Sequence, residues 1–353
     1  MTKDGQEFLR KLVETPSPSG FEQSGQKLIR ARMKDAVKEI RTDVHGNVTG
    51  VINPDASVRV MIAGHCDEIG LMITHIDEKG YLYVAAIGGV DPVVLPGQEV
   101  EILADKGSVT GVIGRKPIHL MKPDERSKPT VKIEDCWIDI GAKDRNDAQK
   151  VVAVGNPIII PRKMLTLRNG LVAARAFDDR AGAWVVVETM RRLKRARLDC
   201  AVHGVATVQE EIGLRGARTS AFGIDPHVGI AVDLGFASDW PGAEKKRIGD
   251  CSLGKGPILH RGPNINPKLA ALMEKVAKEK RIPFQMQAEP RATGTDANMM
   301  QIARAGAATS LITIPSRYIH TPVEVIALKD LDAAVKLMAA TIEAIKPSTR
   351  FTP

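Results

Sequence analysis

The spacing of apolar positions changes character twice along the chain, and the two changes divide it into an α/β part, a β part and a second α/β part. Residues 6–13 carry an amphipathic helical stripe, Pro16-Ser17-Pro18-Ser19-Gly20 interrupts it, and a second helix is predicted over 22–34. Residues 37–41 and 48–52 alternate like strands around the turn composition Asp43-Val44-His45-Gly46-Asn47, which predicts a hairpin. The apolar run 58–63 predicts a buried strand. From 68 to 161 the pattern becomes a series of short β-type runs (71–76, 81–85, 99–103, 109–113, 137–140 and 157–160) in which no helical period persists. Within this stretch 124–128 reads as a polar, mobile loop.

Alternation of strand and helix returns after 161. Strands are predicted at 171–175, 201–209, 228–233, 284–287 and 308–314, and helices at 181–197, 214–222, 267–280 and 328–345. Thr293-Gly294-Thr295-Asp296 introduces a further helix, with Asp296 placed as its N-cap. The expected fold is therefore α/β, a central mixed sheet flanked by helices, with a small all-β domain inserted. Residues 1–67 plus 162–353 form the main domain and 68–161 the insert. A chain of 353 residues is long enough for two such units.

The residue types that carry chemistry fall at the ends of the predicted strands. His65 and Asp67 follow the run 58–63, Glu210 and Glu211 follow 201–209, Asp233 ends 228–233, and His320 follows 308–314. Asp178 and Asp179 stand between a strand and an apolar helix. Strand ends are where open α/β sheets place their ligands, and adjacent glutamates at such an end face different ways and can take different tasks. An isolated Glu-Glu pair is ordinary solvated surface; the companions change that reading. Gathered together, these carboxylates repel one another and need cations or protons to persist. Asp178, Glu211 and Asp233 with His65 and His320 form a set suited to two divalent ions, zinc or cobalt. His45 reads as a turn residue, and His75 and His119 as structural or exposed.

Composition narrows the partners. The net charge of +8 invites a nucleic-acid reading, but the densest basic patch, Arg191 to Arg197, continues a predicted helix without interleaved aromatics, and aromatics are only 4% of the chain. No apolar run approaches the roughly 20 residues of a membrane span, and the N-terminus lacks an apolar signal core. The four cysteines are widely spaced with no CxxC pair, so reduced thiols and a cytoplasmic location are expected.

Taken together, Gly64-His65-Cys66-Asp67-Glu68-Ile69-Gly70, Ala176-Phe177-Asp178-Asp179-Arg180, Gln209-Glu210-Glu211-Ile212-Gly213, Asp233, Gly294-Thr295-Asp296-Ala297 and Arg317-Tyr318-Ile319-His320-Thr321-Pro322 resemble the tetrahedral-type cytosolic metallo-aminopeptidases. That family is also labelled glutamyl aminopeptidase and, historically, endoglucanase. The resemblance covers nearly the whole chain, and the shared order of six short motifs makes it specific. It implies a zinc-exopeptidase-like fold and a dinuclear centre in which Asp178 bridges two metals. His65 and Asp233 would complete one site, and Glu211 and His320 the other. Glu210 would be the general base, Asp67 would orient His65, and Asp179 would not be a ligand. Cys66, where the family more often has Met, reads as core. The implied activity is removal of N-terminal residues from peptides, in a twelve-subunit shell built from dimers through contacts of the insert. Deacylation of N-acyl amino acids on the same centre is the alternative. A two-carboxylate glycosidase is the weaker one, having no use for His65 and His320.

Overall fold

A computed structural model describes residues 1–123 and 131–353, so the loop expected at 124–128 lies outside the described residues. Eight strands form the central sheet in the order Glu39–Thr42, Val48–Ile52, Ala201–Thr207, Arg59–His65, Val228–Phe236, Ala308–Ser316, Ile258–Arg261 and Gln285–Ala288. The sheet is mixed. Arg59–His65 runs parallel to both neighbours, and Val228–Phe236 is parallel to Ala308–Ser316, whereas the hairpin strand Val48–Ile52 pairs antiparallel with Ala201–Thr207. The central strands read as unbroken apolar runs because helices cover both faces.

Successive residues of Arg59–His65 serve the two faces alternately, as strand geometry requires. Val60 and Ile62 join the larger core with Leu9, Ile29, Trp184, Met273 and Leu337, while Met61 and Ala63 join a smaller one with Ala221 and Met300. The larger core is closed by the helices Lys3–Glu14, Gln23–Met33, Phe177–Leu193, Pro267–Glu279 and Leu328–Ala344. Each fully buried aliphatic chain there contributes about 1.5–3 kcal/mol. The helices Arg215–Ile224 and Asp296–Gln301 lie on the other face.

The stretch between Glu68 and Pro161 holds a closed six-stranded barrel, from Gly70–Ile76 to Pro157–Ile159, with its own apolar core around Leu71, Leu82, Ile102 and Ile138. One helical turn, Arg145–Gln149, sits within it. A separate three-stranded sheet joins Leu165–Thr166, Leu171–Ala174 and Glu324–Ala327. It pairs Ala174 with Glu324 and so brings the chain before Asp178 beside the chain after His320.

Three local expectations change. The helix expected from residue 181 begins at Phe177 and ends at Leu193, so Arg195 and Arg197 lie beyond its last turn. Asp296 is not an N-cap: the Thr295 side chain accepts from the Ala297 amide, and Asp296 is the first helical residue, turned inward at 2% exposure. The strands Ile258–Arg261 and Glu324–Ala327 have no counterpart in the sequence reading.

Candidate metal centre

The parallel pairing of Arg59–His65 with Ala201–Thr207 and Val228–Phe236 puts their carboxyl ends side by side, and the candidate residues gather there. His65 is the last residue of its strand. The chain leaves Thr207, turns through Gln209 at a φ of 54° and Gly213 at 119°, and presents Glu210 and Glu211 in between. Asp178 reaches the same point from the opposite side, in the first turn of Phe177–Leu193, and its peptide bond to Asp179 is cis. This approach depends on Gly64. A Cβ there would lie 2.5 Å from the Gly182 carbonyl carbon, so only a glycine lets the start of that helix rest on the strand beside His65.

Two groups of three side chains result. One potential ligand atom from each of His65, Asp178 and Asp233 lies within 4.8 Å of the others, and the same holds for Asp178, Glu211 and His320. Asp178 is common to both and divides its oxygens between them. Its Oδ1 is 3.3 Å from His65 Nε2 and its Oδ2 is 3.5 Å from His320 Nε2. Glu211 Oε2 is 3.6 Å from His320 Nε2, and Glu210 Oε2 is 3.7 Å from His65 Nε2. Six of the residues singled out in the sequence, His65, Asp178, Glu210, Glu211, Asp233 and His320, are thus within one cluster.

Asp67 ties the cluster together more widely than an orienting role for His65 requires. Its backbone oxygen is 3.2 Å and its Oδ1 3.4 Å from His65 Nδ1. Its carboxylate also accepts from the backbone amides of Glu210 and Glu211, at 3.0 and 3.2 Å, and from the Ser19 hydroxyl at 2.7 Å. Asp179 accepts from the His65 and Gly182 amides and belongs to neither group of three. Cys66 is fully buried in the larger core, and burial pushes its thiol up to about 12. His45 sits in the Asp43 turn, and His75 and His119 are on the barrel surface, away from the cluster.

Other residues of the site carry no local signal in the sequence. Glu324, 2% exposed, accepts from the backbone amides of both Asp178 and His320 at 3.0 Å. A single glutamate between the His-Thr-Pro motif and an apolar run was the only available sign. Beneath the cluster, Glu68 pairs with Arg175 and Arg180. Arg180 is fully buried and also donates to the carbonyls of Leu12, Val13 and Thr15.

The electrostatics test whether cations fit. Burial, with repulsion from neighbouring carboxylates, pushes Glu210 up to about 10 and Glu211 to about 7, and holds Asp233 well above the usual range. Burial also opposes charge on Asp178 and His65. Here it is outweighed: hydrogen bonds to His320 and His65 hold Asp178 low, and Glu210, Asp178 and Asp67 hold His65 high. Protein charges alone make the ionised forms of Glu210, Glu211 and Asp233 costly. Positive charge between them removes that penalty, and the mixed carboxylate and imidazole donors suit divalent metal ions.

Comparison with known proteins identifies the family. A lysyl aminopeptidase from Pyrococcus furiosus is 40% identical over 349 residues, covering 98% of this chain and 99% of that one. The crystal structure of a TET aminopeptidase from a marine sediment Thaumarchaeota archaeon superposes with a TM-score of 0.93 at 36% identity, covering 98% of this chain and 97% of its own. The Pyrococcus horikoshii TET1 peptidase, described as assembling into a tetrahedron or a large octahedral shell, superposes with a TM-score of 0.87 at 30% identity over 97% of this chain and 100% of its own. The M42 glutamyl aminopeptidase profile matches residues 46–337, and the chain belongs to that family of metal-dependent aminopeptidases.

Proposed function

We propose that the cluster holds two divalent ions, zinc or cobalt, with His65, Asp178 and Asp233 around one and Asp178, Glu211 and His320 around the other. The observation that carries this is the division of the two Asp178 oxygens between two histidines on opposite sides. Ions held there supply Lewis acidity, polarising the scissile carbonyl and making water a stronger acid. Glu210, beside His65 and outside both groups of three, takes the proton from the attacking water and returns it to the leaving amine. Asp67 and Glu324 position these groups through backbone amides. The surplus of acidic groups favours a free N-terminal ammonium, so hydrolysis removes one residue at a time.

A cleft leads from Asp178, Glu211 and His320 toward the barrel. Val90, Val94 and Ile160 are the partly exposed apolar side chains of its wall, and the charges of Glu68 and Arg175 within it satisfy each other. This wall supports an aliphatic residue beside the scissile bond. The test is a panel of aminoacyl-anilides assayed after chelation and after addition of zinc or cobalt. Hydrolysis should vanish on chelation, return with either ion, and favour leucyl over lysyl and glutamyl substrates. Full activity in the metal-free protein would refute the dinuclear reading, and a lysyl or glutamyl preference would refute the aliphatic one.

Residues 1–67 plus 162–353 act as the catalytic domain, and 68–161 as an oligomerisation domain. The barrel surface exposes Val93, Val112, Ile118, Leu120 and Val154, apolar side chains that a subunit contact could cover. Through it the chains pair into dimers and the dimers into a closed dodecamer, a particle of about 460 kDa from chains of 38.2 kDa. Light scattering that finds monomer at every concentration and metal loading refutes this. Among the described residues no helix is long and apolar enough to cross a membrane, and all four cysteines are buried and unpaired. Cytoplasmic peptides are the substrates that fit this picture.

A further inference from the structure

The barrel reaches the metal centre through the turn after one of its strands. After the strand Leu82–Ile87 the chain passes over the cluster through Gly88 and Gly89, and the Gly89 carbonyl oxygen lies 2.9 Å from His320 Nδ1. A carbonyl can only accept, so Nδ1 carries a ring proton, and Nε2, which faces Asp178 and Glu211, is the nitrogen left to meet an ion there. The approach leaves no room for a side chain. A Cβ on Gly89 would stand 2.9 Å from Nδ1 and 3.1 Å from Cε1 of the same ring. His65 differs, because its Nδ1 faces Asp67, two residues along its own chain.

We propose that Gly89 is a positioning residue for the ion held by Asp178, Glu211 and His320. Its carbonyl selects the His320 tautomer, and its missing side chain lets the ring stand in the ligating orientation. The barrel thereby takes part in building one of the two ion sites. This rests on the reading of His320 as a ligand. Gly89 is not among the residues of positive φ, so an alanine there acts through the contact with His320 and not through backbone strain. Gly141 supplies the control: it lies in the same barrel at a φ of 74°, and a Cβ on it meets nothing within 4 Å.

The experiment titrates metal-free Gly89→Ala, Gly141→Ala and His320→Ala with zinc, reading stoichiometry and affinity by calorimetry and bound metal by elemental analysis. Gly89→Ala should bind one ion as the wild type does and the other about 10–100-fold more weakly, the usual effect of losing a partner that orients a ligand. Gly141→Ala should bind both normally. Two wild-type affinities in Gly89→Ala, with one lost in His320→Ala, overturn this inference and leave the ligand reading standing. Two wild-type affinities in His320→Ala overturn the ligand reading itself. Solid-state ¹⁵N spectra of histidine-labelled, zinc-loaded wild type give a check that needs no variant. They should show the His320 proton on Nδ1, and a proton on Nε2 overturns the assignment.

Discussion

The two halves of the metal centre are built in different ways. His65 and Asp233 stand on adjacent parallel strands at the middle of the sheet, and both are buried. Sheet hydrogen bonds fix their separation, and strand alternation fixes which side they face. Glu211 and His320 stand on a turn and a loop. The loop needs left-handed backbone at Tyr318 and His320, which costs about 1–2 kcal/mol per residue, and it is held by Glu324 and by a carbonyl from the barrel. The His320 side chain remains 37% exposed against 2% for His65. One half is a product of regular secondary structure, and the other is assembled from three separate parts of the molecule. The rigid, dry half suits a permanently held ion. The more open half borders the cleft, where an incoming peptide can approach.

The strongest test of this contrast is the shared residue. If Asp178 is shared between two ions as proposed, Asp178→Ala should lose both of them and bring peptidase activity below detection. His320→Ala should lose one ion, leaving the His65 and Asp233 half loaded. Staged chelation of the wild type should separate the two halves in time, the exposed one emptying first. Elemental analysis after dialysis against graded chelator measures all three. Equal losses in the two variants, or a single phase of release, would mean that the halves are not independent and that the structural contrast has no energetic counterpart.

The same contrast separates what could be read in the sequence from what could not. The buried half was legible because 58–63 and 228–233 are continuous apolar runs, and an ionisable residue at the end of such a run is conspicuous. His320 is legible in the same way, beyond the end of the apolar run 308–314, but its supports are not. Glu324 lies in a strand of four residues, too short for a period to emerge, and it reaches Asp178 across a separation of 146 residues. Gly89 and His320 are 231 residues apart. The Glu68, Arg175 and Arg180 network is hidden for the same reason, since its members meet only in the folded chain. The strand Ile258–Arg261 escaped notice because it is bounded closely by Gly254, Gly256 and Gly262, which read as loop. Asp296 was misread because Thr295, one residue earlier, is an equally good cap and had the better position.

Glu210 gives the finest test, since it shares the burial of the rigid half without being one of its ligands. Its carboxylate is 3.7 Å from His65 Nε2, its backbone amide is fixed by Asp67, and burial makes its charged form costly unless cations stand nearby. Metal loading therefore holds Glu210 ionised and ready to accept a proton at neutral pH. Glu210→Gln keeps the size and removes the basicity. The variant should bind two ions, retain its thermal unfolding midpoint within a few degrees, and lose about 10²–10⁴-fold in kcat with little change in KM. Steady-state kinetics on a leucyl anilide, with metal content measured on the same sample, decides the matter. Near-wild-type turnover with both ions bound would exclude Glu210 as the base. Loss of one ion would make Glu210 a ligand, and the buried half would then hold its ion with four side chains instead of three.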